Sequence, residues 1–171
     1  MKRARFVLTA TVAALVLNPA IWAQESPDKE HAELAKAVSA AKVSLEKGLG
    51  ASATEGKAIS AKFELEEGKL QLSVYTMKGD KFYEVVIDHQ TGKIAKTEPI
   101  TEGEDLAAAK SQSEAMAKAK LSLRETVSKA VAAHRGFLPV SVFAELKDGH
   151  PVADVSLVKG EESEAVTERL E

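Results

Sequence analysis

The spacing of hydrophobic residues changes several times along the chain and divides it into helical and extended segments. Between residues 26 and 50, apolar residues recur at steps of three and four, which predicts a helix with one buried stripe. Ser26 and Pro27 suit the start of this helix, and Gly48 and Gly50 are expected to end it. The predicted stripe consists of Leu34, Val38, Ala41, Leu45 and Leu49.

From Ala58 onward the period is two, which predicts β-strands with one inward face. A turn at residues 66–69 joins the first two strands into an antiparallel hairpin, and a third strand covers residues 82–88. Asp88 begins an Asp-x-x-Thr-Gly turn that leads into a short fourth strand near residues 93–96. The predicted inward residues are Ile59, Ala61, Phe63, Leu65, Leu70, Leu72, Val74, Tyr83, Val85 and Ile87.

A polar linker at residues 97–103 separates this region from a second helical segment, residues 104–134. A break near Ser111 to Ser113 would divide the segment into a connecting helix and a second core helix. The clearest apolar stripe consists of Met116, Leu123, Val127, Ala130 and Val131. Strands are predicted near residues 138–146, 152–158 and 164–168.

The order of these motifs repeats after about eighty residues. Gly56 precedes the first hairpin and Gly136 the second, an offset of 136 − 56 = 80. Gly79 and Gly160 occupy matching later positions, with an offset of 160 − 79 = 81. A supersecondary unit used twice is the simplest explanation.

The repeat predicts an α+β fold of two small domains, residues 24–100 and 101–171. Each is expected to be a helix packed on its own three- to four-stranded antiparallel sheet. The second copy stops before a counterpart of the Asp-x-x-Thr-Gly turn. We therefore expect the second domain to be shorter and to need help in covering its edge strand.

Residues 1–23 have the layout of a secretory signal peptide, with three basic residues before an uncharged stretch that ends at Ala23. An uncleaved membrane anchor is the alternative, but the apolar run is short and Asn18-Pro19 interrupts it. The chain has no cysteine, which excludes a lipoprotein anchor. The sequence thus predicts a periplasmic or secreted protein without stable membrane insertion after leader removal.

Charge and cysteine content narrow the function classes. Removing the leader leaves 23 − 3 = 20 basic and 26 acidic side chains, a formal charge of −6. Nucleic acid is an unfavourable partner for such a chain, because phosphate binding needs clustered lysine and arginine. Without disulfides, packing between the units or in a homo-oligomer is expected to stabilise such small domains.

The first unit resembles the PepSY domain family. The resemblance rests on the alanine-rich helix with Leu45, on Gly56, on residues 59–65 and above all on residues 83–94, which include the Asp-x-x-Thr-Gly turn. It covers residues 32–96 and, more loosely, 116–171. In the second copy, residues 163–168 depart from the family strand and the Thr-Gly turn is missing, which leaves a binding role of this copy open.

The resemblance implies a small non-catalytic module of exported bacterial proteins and of the propeptides of thermolysin-like metallopeptidases. It also implies a peptidase partner that the module inhibits or moderates. Because residues 1–171 include no peptidase domain, we do not expect a propeptide role within the same chain.

Motifs for catalysis or cofactor binding are weak. Residues 48–53 have the letters of a dinucleotide fingerprint, but a helix precedes them where that motif requires a strand. The sequence contains no Gly-x-Ser-x-Gly elbow, no His-Glu-x-x-His pattern and no cysteine nucleophile. Glu84 and Asp88 could form a carboxylate pair, although Asp88 is better explained as a turn former. Solvated positions are expected for His31, His89, His134 and His150, so we predict no metal, no cofactor and no enzymatic activity.

Strand alternation leaves one apolar set on the face away from the predicted helix. This set consists of Tyr75, Met77, Phe82 and Val86. We interpret it as the contact surface of a protein-binding module, with packing against the second unit or a homodimer mate as the simpler use of this face. The functional alternative is an envelope structural or stress protein that binds a small molecule or a cell-wall component.

Overall fold

A computed structural model of the protein describes residues 27–171, so the predicted signal peptide lies outside the described residues. The helices are α1 (Pro27–Ser39), α2 (Leu45–Ala51), α3 (Gly103–Lys118) and α4 (Leu123–Ala133), with a short 3-10 turn at Ser52–Thr54. The strands are β1 (Lys57–Glu66), β2 (Lys69–Lys78), β3 (Lys81–Ile87), β4 (Ile94–Ile100), β5 (Leu138–Lys147), β6 (His150–Lys159) and β7 (Glu162–Arg169).

The seven strands form one antiparallel sheet in the order β4-β3-β2-β1-β5-β6-β7. The α+β class is as predicted, but the expectation of a separate sheet in each unit is wrong. At the centre of the sheet, Ser60–Lys62 of β1 pairs with Ser141–Phe143 of β5. Each of these strands would otherwise present an unpaired edge, and their pairing satisfies main-chain groups of both.

The inward face of the first half follows the predicted alternation. Phe63 opposes Leu72, and Ala61 opposes Val74, which in turn opposes Val85. All five side chains are buried. On this face α2 packs closely on the sheet at Gly48. A Cβ added there would lie only 2.6 Å from Leu72 Cδ2, so glycine permits the approach.

The helix breaks differ from those predicted. The main-chain N–H groups of Lys42 and Val43 donate to the carbonyl oxygen of His89, at N···O distances of 3.0 and 3.1 Å. Residues 40–44 are therefore not helical, and α2 starts afresh behind the N-cap Ser44. The two predicted stop residues, Gly48 and Gly50, lie inside α2.

The second helical segment breaks after Lys118 rather than near Ser111. Lys120 and Leu121 donate their N–H groups to the carbonyl oxygen of Leu170, at 2.7 and 3.0 Å. Ser122 then caps α4 in a capping box with Glu125. In both segments, contacts with a distant strand end decide where the helix stops.

The edge strand β4 extends through residues that the sequence predicted to be a linker. It pairs with β3 as far as Ile100, and Pro99 opposes Tyr83. A proline fits here because the outer edge of a terminal strand needs no donor. Among the helices of residues 27–171, none is long and apolar enough to cross a membrane.

Candidate functional site

The second face of the sheet is partly covered by α3. Lys57 Nζ donates to the carbonyl oxygen of Met116 at 2.6 Å, and Ser60 Oγ donates to Gln112 Oε1 at 2.8 Å. The side chain of Met116 is buried. α3 thus runs over β1 and towards β5 on the face opposite to α2.

The four residues of the predicted contact set share this face. Met77 opposes Phe82, and Tyr75 and Val86 lie further along the same two strands on the same face. Phe82 is only 7% exposed, and together with Leu106 of α3 it lines a cavity of about 610 Å³. The other three side chains are half-buried. Of the predicted set, Phe82 is therefore the least accessible, and the role of all four in partner contact remains a prediction.

A groove crosses the same face between α1 and α3, and we call it the central groove. It is formed by Lys62, Tyr75, Ser141, Phe143, Ser156 and Ala165. Strand register places Lys62, Ser141, Ser156 and Ala165 in one row across four strands. Ser156 and Ala165 are small and exposed, whereas Ser141 is buried, so the floor of the groove is open to close approach at its β6–β7 end.

Two cavities meet in the central groove. One of about 540 Å³ lies beside α1 and is also lined by His31 and Leu34. A smaller one of about 90 Å³ lies beside α3 and is also lined by Gln112. Lys62 and Phe143 line both cavities, which places these two residues at the middle of the groove.

Lys62 and Tyr75 set the electrostatics of the groove. Lys62 Nζ lies 2.6 Å from Glu64 Oε2 and 5.8 Å from the centre of the Tyr75 ring. Burial acts to lower the pKa of Lys62, but the hydrogen bond with Glu64 and the electrostatic attraction of Tyr75 and Glu64 together outweigh it, so the pKa is raised. Burial, reinforced by the negative charge of Glu84, raises the pKa of Tyr75 to about 12. At neutral pH the groove therefore presents a cation beside an uncharged phenol.

Phe143 is not among the residues of the predicted contact set. Its side chain is 36% exposed, which is high for a phenylalanine. The signal was present, because Val142 and Ala144 point inward and so leave Phe143 outward by the same alternation that identified Tyr75. What the sequence did not reveal is that β1 and β5 pair, which brings Phe143 opposite Ser60.

The candidate carboxylate pair separates into two local roles. Asp88 accepts hydrogen bonds from the N–H groups of Gln90 and Thr91 at 2.8 and 2.9 Å, and these bonds lower the pKa of its carboxyl group. Asp88 is thus the turn former that the sequence predicted. Glu84 instead opposes Tyr75 in the sheet.

The histidines lie in separate places. His134 Nδ1 is 2.9 Å from the carbonyl oxygen of Ala130 at the end of α4. His150 Nδ1 is 2.6 Å from Glu171 Oε1, and His31 lines the groove cavity. Within residues 27–171, no group of three or more histidine and carboxylate side chains is arranged to hold a metal ion.

Comparison with known families confirms the resemblance for the first half of the protein. The family model described as "Peptidase propeptide and YPEB domain" (PepSY) matches residues 33–98, which run from α1 into β4. A comparison with curated proteins finds no match. Among solved structures, the chain is similar to the crystal structure of a putative lipoprotein from Clostridium difficile 630. The two share 14% identity with a TM-score of 0.42, over 77% of this chain and 88% of that chain.

Proposed function

We propose, from the PepSY domain at residues 33–98, that the protein is an exported, non-catalytic module that binds a polypeptide in the central groove. Through this contact it inhibits or moderates a peptidase in the cell envelope. The observation that carries the proposal is the groove itself, in which Tyr75 and Phe143, from the two halves of the sheet, flank Lys62.

The dimensions of the groove suit an extended polypeptide. Five neighbouring strands contribute residues to it, in the sheet order β2, β1, β5, β6 and β7. Neighbouring strands lie about 4.8 Å apart, so the groove spans roughly 19 Å. An extended chain covers that distance with about six residues. The small, exposed side chains of Ser156 and Ala165 let a backbone approach the sheet at one end of the groove. Aromatic side chains beside such a floor are typical anchors of protein interfaces.

We also propose that the protein consists of two PepSY-like units that share one sheet. Corresponding hydrogen bonds support this arrangement, since Lys42 donates to His89 O and Lys120 donates to Leu170 O. Both loops precede a serine-capped helix. Because β1 and β5 are the first strands of the two units, their pairing places the central groove across the junction. On this account neither unit forms the groove alone.

Export follows from the leader predicted at residues 1–23. After cleavage the protein is periplasmic or secreted, where an envelope or extracellular peptidase is accessible to it. A second candidate function is favoured by the cavity of about 540 Å³ beside α1, which is large enough for a small molecule or a cell-wall fragment. Such a ligand would raise the melting temperature of the purified protein without any peptidase.

An inhibition titration tests the first candidate. Purified protein is added to a thermolysin-type metallopeptidase, and hydrolysis of a chromogenic peptide is followed. We expect a saturable decrease in rate that the double variant Tyr75→Ser, Phe143→Ser abolishes. Ile94→Ser is the matched control, because Ile94 is 37% exposed and Phe143 36%. Circular dichroism of both variants establishes that each is folded.

Two results would contradict this function. One is an unchanged hydrolysis rate at saturating wild-type protein. The other is equal inhibition by the wild type and the folded double variant, which would place the contact outside the central groove. A melting temperature raised by cell-wall fragments, together with no inhibition, would favour the second candidate.

A further inference from the structure

The outer edge of β7 is the least protected edge of the sheet. β7 is the last strand in the sheet order, and no strand of residues 27–171 pairs with its outer side. Its eight residues pair with β6 in one uninterrupted register, from Glu162 opposite Lys159 to Arg169 opposite Val152. A regular strand of this kind presents a row of main-chain donors and acceptors that another chain can use.

The opposite edge of the sheet, formed by β4, is protected against pairing with another strand. β4 contains Pro99, which has no N–H group, and its pairing with β3 is interrupted by a register shift between Val86 and Ile87. β4 also carries the exposed ion pair of Lys96 and Glu98, at 2.6 Å. Prolines, irregular register and charged side chains are the usual devices against edge pairing. β7 has neither a proline nor a register shift.

Two of the glutamates in β7 do not shield its edge, because they turn towards α4. Glu168 Oε2 lies 2.6 Å from Lys129 Nζ, and Glu164 Oε2 lies 3.6 Å from His134 Nε2. Ser163, Ala165 and Thr167 occupy the other face of β7 and are small. On that face α1 lies beside residues 160–163 across an open cavity of about 520 Å³. A strand added outside β7 therefore has room for its side chains on either face.

The charge of this region favours a basic occupant. Residues 161–171 include five glutamates and the single cation Arg169. Glu161 and Glu162 are exposed, and the side chain of Glu164 is 46% exposed. Two copies joined through β7 would bring these acidic rows together, which destabilises strand pairing. A strand with lysine or arginine on the α4 side gains opposite charge instead.

We propose that the outer edge of β7 pairs with an extended segment of a basic polypeptide. Lysine or arginine side chains of the segment lie at alternate positions on the α4 side, near Glu162 and Glu164. The intervening side chains lie over Ser163 and Ala165. This surface shares Ala165 with one end of the central groove but does not include Tyr75 or Phe143, so replacing those two residues leaves it in place.

The test uses an amidated peptide of alternating lysine and valine, as long as β7, and two forms of it methylated on the backbone nitrogens. One form is methylated at the lysines and the other at the valines, so each loses the N–H groups of one edge while its charge is unchanged. Binding to the full protein is measured by fluorescence anisotropy. We expect one methylated form to bind like the parent peptide and the other about tenfold or more weakly, because an edge strand uses only one of its two edges.

Variants of the protein provide a second test of the same proposal. Replacing Glu162 and Glu164 by glutamine should weaken binding of the parent peptide about threefold or more at low salt, and less at high salt where charges are screened. Glu98→Gln on β4 is the matched control and should bind normally. The groove variant Tyr75→Ser, Phe143→Ser should also bind normally.

Four outcomes would overturn the proposal. Equal affinity of the two methylated peptides would show attraction by charge alone, and loss of binding by both would show a peptide enclosed on both edges. Loss of peptide binding in the groove variant would place the peptide in the groove. Sedimentation of the free protein as a dimer that Val166→Pro dissociates would assign the edge to a second copy of this chain.

Discussion

The ammonium group of Lys62 lies 5.8 Å from the centre of the Tyr75 ring, and the two side chains project from adjacent strands on the same face of the sheet. Attraction between a cation and an aromatic ring contributes about 0.5 to 2 kcal/mol, depending on desolvation. The ion pair of Lys62 with Glu64 holds the ammonium group in this position. The contact fixes the polar side of the central groove, while Phe143 supplies its apolar side.

The ionisation of Tyr75 gives the first prediction. Its pKa is raised to about 12, mainly by burial and next by the negative charge of Glu84. An ultraviolet titration should show one phenol ionising near pH 12, and Tyr75→Phe should remove that transition. Glu84→Gln should lower the pKa, because the phenolate then forms without a nearby like charge. A transition unchanged by Glu84→Gln would contradict the proposed environment.

The same group makes stability depend on pH. The unfolded tyrosine ionises near pH 10, and the folded one near pH 12. Between these values the unfolded state binds fewer protons than the folded state, so the free energy of unfolding decreases as the pH rises. Urea denaturation across this window should show a smaller decrease for Tyr75→Phe than for the wild type. Equal decreases would mean that Tyr75 is not perturbed.

A third prediction concerns two glycines with positive φ. Gly56 has a φ of +142°, and an added Cβ would lie 2.5 Å from the carbonyl oxygen of Met77. Gly68 has a φ of +74° and no atom within 4 Å of that position. Gly68→Ala carries the penalty of the left-handed region, about 1 to 2 kcal/mol. Gly56→Ala carries a backbone penalty of about 1 to 3 kcal/mol, because alanine rarely adopts so large a positive φ. Gly56→Ala should lower the free energy of unfolding by about 2 kcal/mol more than Gly68→Ala does, because of the clash.

Comparison of the two midpoints in urea measures that difference. Gly68 lies in the exposed β1–β2 turn, so Gly68→Ala measures the backbone penalty of a positive φ without a steric clash. If the two variants were equally stable, Gly56 would not lie against the carbonyl group of Met77 near the end of β2.

Truncation of the core gives a fourth prediction. Leu45 is 0% exposed and Phe63 is 3% exposed, so Leu45→Ala and Phe63→Ala should each cost about 2 to 5 kcal/mol of stability. Leu138 is 41% exposed, and Leu138→Ala serves as the control with a much smaller effect. Chemical denaturation measures all three. If Leu138→Ala lost as much stability as the two core variants, the assignment of buried and exposed residues would be wrong.

The strands and their inward faces were predictable because they depend on local alternation. Leu72, Val85 and Ile87 lie where the period of two places them, and all three are at most 1% exposed. The helix breaks were not predictable in this way. The apolar stripe continues through Ala41 to Leu45, and the interruption comes from His89, whose carbonyl oxygen binds the loop across the fold.

The site was predictable only in part for a similar reason. Tyr75 follows from the pattern of its own strand. The central groove depends on the pairing of β1 with β5, which spans only three residue pairs and leaves no local trace in the sequence. The cover over Phe82 depends on the path of α3, which composition does not specify. Long-range pairing therefore decides which outward residues are available.

Site-specific photo-crosslinking tests most directly whether the central groove is a protein contact. Benzoylphenylalanine is introduced at Phe143 and, as a control, at Ile94, which has nearly the same exposure at 37% against 36%. The protein is exported in its native host, irradiated and analysed by mass spectrometry. We expect a covalent adduct with an envelope peptidase from position 143, lost on Tyr75→Ser, and none from position 94. Adducts of equal yield from both positions, or from position 94 alone, would contradict this expectation.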